Sequence, residues 1–309
     1  MQRRNFLQGT LTTFATVAAC QTGLNSLNVS SARSEDKPAS TIPVDMTGKI
    51  FKAYKGGPIG TDLASMIKTL NTARELGFDG IEAESFKKAE PLVLKEAIAE
   101  TGVYVHGLVD GLHWTKRLSD PDPAVREEGR AALEQTIREC HLIGGSAVLL
   151  VPGKVTGPTE THEHVWERSS FEVRKVLPLA AYYGIPILME NVWNGFCETP
   201  EQFCDYIDSF NSPWIGMYFD IGNIRKFGKP EDWIRKLGHR IRKLDMKDWG
   251  QKNAFCRLGE GDVDFPAVCQ ALHDIGYNGW ATREGKDKDL ADTVQLMNQL
   301  LQIKPQPAK

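Results

Sequence analysis

Four successive apolar runs in the second half of the chain each stop at a carboxylate. The run 187–189 (Ile-Leu-Met), entered through Pro186, meets Glu190 and then Asn191; the run 215–219 meets Asp220; the run 241–244 meets Asp245; and the run 280–283 meets Glu284. Runs of this length fit strands buried on both faces, and helical stretches separate them. A charge at the end of a buried strand is costly unless a partner holds it. A parallel βα barrel gathers all such ends around one mouth. Four carboxylates meeting there repel one another unless a cation lies between them.

The rest of the chain keeps the same rhythm. Residues 50–54 (IFKAY) read as the first strand, broken by Gly56-Gly57-Pro58. A helix over 61–76 stops at Gly77, a second strand covers 78–83, and a helix over 91–101 lies between Pro91 and Gly102. Residues 103–106 form the third strand. A long loop follows with Asp110, His113, Trp114, Lys116 and Arg117, of a length that is usually functional. Helix 124–143, strand 147–151, a polar loop and helix 164–183 lead to the run at 187. Helices over 200–210, near 231–237, over 265–275 and over 289–303 complete the series, and 247–264 reads as a loop. Eight strands and eight helices predict an α/β fold of the (β/α)8 TIM barrel type, which typically takes about 250 residues. An open doubly wound sheet is disfavoured, because no glycine-rich phosphate loop follows the first strand.

The N-terminus reads as an address rather than as fold. Arg3-Arg4-Asn5-Phe6-Leu7 is a twin-arginine pattern, and a weakly apolar run follows it to Ala19. Residues 1–20 are therefore expected to be an export signal, 21–45 a flexible linker rich in Ser, Asn, Thr and Pro, and 46–309 the barrel domain. Val17-Ala18-Ala19-Cys20 resembles a lipobox; the competing reading is a signal-peptidase site with an incidental cysteine. The expected location is periplasmic, or anchored at the cell envelope through a lipid on Cys20. The five other cysteines form no CxxC pair and read as buried thiols. A net charge of −3 shows no basic excess, which argues against nucleic acid as a partner. No apolar run reaches the ~18 residues of a membrane span.

Hard oxygen ligands suit Mn²⁺ or Mg²⁺. An imidazole from His106 or His113 would widen the choice to Zn²⁺, Co²⁺ or Ni²⁺. A divalent ion between two glutamates suits proton transfer on a sugar: the ion holds a carbonyl and its neighbouring hydroxyl while one glutamate takes a proton and the other returns it. Glu190 and Glu284 are the candidates. His106 ends its strand as a substrate contact or as a satisfied core histidine. His113 and Trp114 in the long loop, and Trp193 after Glu190, read as sugar contacts or as packing. Lys247 reads as a counter-charge to Asp245 or Asp220.

Six segments carry a resemblance: GFDGIE (77–82), ENVWNGF (190–196), FDIGN (219–223), KLDMKDW (243–249), LGEGDVDF (258–265) and GYNGWATREG (276–285). Together they resemble the sugar isomerases and epimerases of the xylose-isomerase-like barrel superfamily, in the L-ribulose-5-phosphate (hexulose-6-phosphate) 3-epimerase-like branch. The resemblance implies metal ligands at Glu190, Asp220, Asp245 and Glu284, acid–base roles for Glu190 and Glu284, and a substrate-binding arginine at Arg257. Two positions depart from the pattern. The strand-seven ligand is usually His in an HxKD motif and is Asp245 here; the substrate-contacting His after the strand-six acid is Asn223 here. The implied site is all-oxygen, harder and more negative.

The expected activity is metal-dependent isomerisation or epimerisation of a keto-sugar through an enediolate. Export argues for a free sugar or keto-glycoside over a sugar phosphate. A lyase on the same site and a non-catalytic barrel that binds a sugar or a partner are the alternatives. An abasic-DNA nuclease on a related barrel is disfavoured by the lack of a histidine cluster.

Overall fold

The computed structural model describes residues 44–55, 59–85, 90–285 and 287–304. The twin-arginine motif, Cys20 and Gly56-Gly57-Pro58 lie outside them. The barrel strands are β1 (Ile50–Lys55), β2 (Gly80–Glu84), β3 (Tyr104–Val109), β4 (Val148–Leu150), β5 (Ile187–Glu190), β6 (Ile215–Asp220), β7 (Ile241–Met246) and β10 (Gly279–Arg283). They pair in parallel and close into a barrel in the order β1-β10-β7-β6-β5-β4-β3-β2. Helices α1 (Leu63–Leu76), α2 (Pro91–Thr101), α3 (Pro123–Leu142), α4 (His162–Tyr183), α5 (Pro200–Ser209), α7 (Pro230–Leu237), α8 (Phe265–Asp274) and α9 (Leu290–Leu300) alternate with the strands, and a one-turn α6 (Ile221–Ile224) follows β6. The eight parallel strands of the sequence reading are all present.

Local chemistry sets the helix bounds. Asp62 caps α1 in a capping box with Ser65, and Gly77 ends it in the left-handed conformation. Helix α4 begins at His162, two residues before the periodicity suggests, because the Thr161 hydroxyl accepts from the His164 N–H and forms a capping box. Strand β3 runs three residues past His106. Its Gly107, Leu108 and Val109 pair with Glu82, Ala83 and Glu84 of β2. Gly107 is needed there, since a Cβ would lie 2.8 Å from both the Ala147 carbonyl and the Lys243 Nζ. The segment expected to be loop after β7 holds an antiparallel hairpin, β8 (Asp248–Gly250) and β9 (Ala254–Cys256). The Asp248 carboxylate accepts from the Gly259 and Gly261 N–H groups, which folds the 258–261 turn back onto the hairpin.

The apolar core has two parts. The larger lies between strands and helices; the smaller, formed by Ala147, Leu149, Leu188 and Tyr218, fills the barrel interior. Side chains two apart on a strand share a face. Leu188 and Glu190, Tyr218 and Asp220, and Lys243 and Asp245 therefore share the inner face of their strands. The five cysteines within the barrel are free thiols, four of them buried.

Candidate active site

The four strand-end acids meet. Glu190, Asp220, Asp245 and Glu284 each present a carboxylate oxygen within 4.8 Å of the others. Register brings Asp220 of β6 beside Asp245 of β7, and Asp245 beside Thr282 of β10, two residues before Glu284. A bracket of amides fixes the β5 and β6 ends. Asn191 donates to the Asp220 carbonyl at 2.9 Å and accepts from the Asp220 N–H at 2.8 Å. Asn223 donates to the Asn191 carbonyl, while its own N–H donates to Asp220 Oδ1, both at 2.9 Å.

Two lysines enter this cluster. Lys247 Nζ lies 2.8 Å from Asp220 Oδ2 and 2.9 Å from Glu284 Oε1. Lys55, the last residue of β1, reaches Asp245 Oδ2 at 2.6 Å and Glu284 Oε2 at 2.5 Å, with Glu82 Oε2 at 3.8 Å. Lys247 thus has the counter-charge role that its place in the sequence suggests, with Glu284 as a second partner. Lys55 escaped the sequence reading. Its one signal was position, since it ends a strand as the acids do.

Burial and charge act in opposite senses here. Burial pushes the Glu190 carboxyl up to about 8, against the pull of Lys55, and the negative Glu284 adds to the rise. Asp220 and Asp245 are also raised by burial. Burial would raise Glu284 too, but Lys55 and Lys247 overcome it and hold that carboxyl down at about 2.

The residues fit a divalent cation. Asp245 Oδ1 is fully buried without a hydrogen-bond partner among the described residues, and such an orphaned anionic oxygen calls for a cation. The cluster holds more acids than ammonium groups, and a divalent ion would favour the ionised form of Glu190, Asp220 and Asp245 that burial disfavours.

The other candidates occupy distinct places. His106 lies deeper in the barrel and stacks on Trp280 at 4.4 Å between ring centroids. Lys243 Nζ lies 2.9 Å from His106 Nδ1, His106 Nε2 lies 3.1 Å from Thr282 Oγ1, and Thr282 Oγ1 lies 2.8 Å from the Tyr218 hydroxyl. Lys243 leaves Nδ1 as the acceptor, so the His106 proton sits on Nε2. His113 is buried, and its Nδ1 accepts from the Val151 N–H. Trp193 stands at the rim. It stacks on Phe255 of β9 at 4.8 Å, and its indole N–H donates to the Asn223 carbonyl. Arg257 grips Asp292 with a two-pronged ion pair. It lines a cavity of about 980 Å³ with Lys247, Phe255, Glu284, Asp287 and Thr293.

Comparison with known proteins places the chain in a family. The chain is 25% identical to the L-ribulose-5-phosphate 3-epimerase UlaE of Salmonella heidelberg, over 69% of this chain and 79% of that protein. Among solved structures, it is similar to a D-allulose 3-epimerase from Methylomonas sp. (TM-score 0.69, 20% identity, 84% of this chain and all of that one). It is also similar to the 3-keto-D-glucoside 4-epimerase YcjR from E. coli (TM-score 0.66, 18% identity, 82% of this chain and 98% of that one). A family profile described as a xylose isomerase-like TIM barrel matches residues 70–302, and the chain belongs to that family.

Proposed function

We propose that this barrel is a divalent-metal-dependent epimerase or isomerase of a keto-sugar. The observation that carries the reading is the meeting of Glu190 and Glu284, with Asp220 and Asp245, at the C-terminal mouth of a closed barrel. Similarity to proteins named as L-ribulose-5-phosphate and D-allulose 3-epimerases supports the sugar and the reaction class. A bound divalent ion supplies polarisation of a carbonyl and its adjacent hydroxyl. Glu190 and Glu284 remove and return a proton at the neighbouring carbon. Asn191 and Asn223 hold the β6 end so that Asp220 keeps its aim.

The all-oxygen donor set favours Mn²⁺ or Mg²⁺ over Zn²⁺ or Co²⁺. The cavity beside Glu284 extends past Phe255 and Arg257, which gives room for a second group beyond one sugar ring, so a keto-glycoside suits it better than a bare ketose. The twin-arginine motif supports export, which favours a substrate without phosphate.

The test is metal content and solvent deuterium exchange. Purified protein is expected to hold about one ion per chain, as a single four-carboxylate site would, and to exchange deuterium into a keto-sugar. Glu190→Gln should reduce exchange by at least ~10³-fold, on the scale of losing a catalytic acid–base group. Full exchange by that variant would sink the two-glutamate mechanism.

A further inference from the structure

Both oxygens of Glu284 are already taken: Oε1 lies against Lys247, and Oε2 against Lys55. A divalent ion needs an oxygen of Glu284 at about 2.0–2.6 Å, where an ammonium held at 2.5 Å on the same oxygen would meet it. Two cations cannot share that place without strong repulsion. For the ion to take Glu284, one lysine must withdraw.

The surroundings favour Lys55 as the one that moves. Lys247 is braced by Asp220 on one side and backed by Gly222, where even a methyl group would lie 2.5 Å from the Lys247 Cβ. Lys55 has somewhere to go. Glu82 of β2 is 1% exposed, and neither of its oxygens has a hydrogen bond of ordinary geometry among the described residues, although the Tyr218 hydroxyl faces it. Its Oε2 is only 3.8 Å from Lys55 Nζ. β1 and β2 are neighbours, with Lys55 and Glu82 in register. A side-chain rotation can exchange partners without moving the backbone.

We infer that Lys55 is a tethered cation that neutralises Asp245 and Glu284 until a divalent ion arrives, and then passes to Glu82, so that the Lys55–Glu82 pair sets the site's affinity for metal. This rests on the metal-dependent reading above.

The test is a double-mutant cycle read as Mn²⁺ affinity, by calorimetry and by the loss of the free-ion electron paramagnetic resonance signal. The full chain carries Lys55→Met, Glu82→Gln or both, with Lys55→Gln as a second replacement should the methionine variant fold poorly. Lys55→Met should tighten Mn²⁺ binding by about tenfold or more, the scale of one lost close like-charge contact. Glu82→Gln should weaken binding roughly fivefold or more while Lys55 is present, because the lysine then has no second partner, and should change it less than about twofold in the Lys55→Met background. An equal effect of Glu82→Gln in both backgrounds would mean only a general field effect and would overturn the exchange. Unchanged affinity in Lys55→Met would also overturn it, leaving the metal site itself intact. No Mn²⁺ binding by any of the four proteins at millimolar ion would overturn the metal reading and this inference together.

Discussion

Asn191 carries more of the site than its residue type suggests. Its single side chain bonds both the N–H and the C=O of Asp220, and it is 2% exposed. Asn191→Ala leaves the buried Asp220 N–H without this partner, while the Asp220 carbonyl, at the N-cap of α6, keeps its place in the first helical turn, so the unfolding free energy should fall by about 1–3 kcal/mol. Urea denaturation checks this. Asn223→Ala removes one of the bracket's bonds and should cost about half as much. The Lys55–Asp245 pair is equally specific. Asp245→Asn removes one negative charge from a buried cluster where burial and the neighbouring Glu284 and Glu190 already disfavour the ionised form, and Lys55 keeps Glu284 as a partner, so the metal-free variant should unfold at the same or a higher urea concentration than the parent chain.

At the scale of elements, spacing and strand-end chemistry separated what sequence could and could not reveal. The four acids were legible because each interrupts an apolar run, and burial leaves few reasons for a charge in that position. Lys55 was not, since it follows a strand that already carries Lys52 and precedes Gly56-Gly57-Pro58, so it reads as the start of a turn. The extension of β3 was hidden by Gly107, which in isolation looks like a strand end. In the barrel that glycine makes room for the Lys243 ammonium. Gly107→Ala should therefore lower stability by about 1–3 kcal/mol, the scale of overpacking a well-filled interior, measurable by thermal unfolding. The β8–β9 hairpin escaped because its strands are three residues each, too short for alternation to register. The roles of His113 and Asn223 were not legible either, since each depends on a contact with a distant segment: Val151 for one, Asn191 for the other.

For the whole molecule, burying histidines in their neutral form has an acid cost. Burial, with Lys55 adding to it, pushes His113 down to about 3, and burial with Lys243 lowers His106 as well. A histidine depressed in the folded state contributes stability that is complete above its unfolded value, near 6.5, and is lost as pH falls toward the folded value. These two histidines should therefore withdraw stability between about pH 6.5 and 3, against the opposite contribution of Glu190, which burial lets take up a proton before the unfolded chain does. His113→Gln should reduce the slope of unfolding free energy against pH in that window by up to one proton, with the difference from the parent chain cancelling the carboxylates common to both. Equal slopes would mean that His113 titrates normally in the fold.

Lys55 and Glu284 are 229 residues apart in the chain, yet they touch where the first strand closes against the last. Contacts of such separation require the largest loop closure and tend to form late in folding. Until that seam joins, the carboxylates at the mouth lack one of their two ammonium partners, so the site's charge balance is a product of the final step. Lys55→Met should accordingly speed unfolding while leaving the folding rate nearly unchanged, the kinetic signature of an interaction absent from the transition state. Stopped-flow traces in both directions would show it, and a slowed folding limb would place barrel closure earlier on the route.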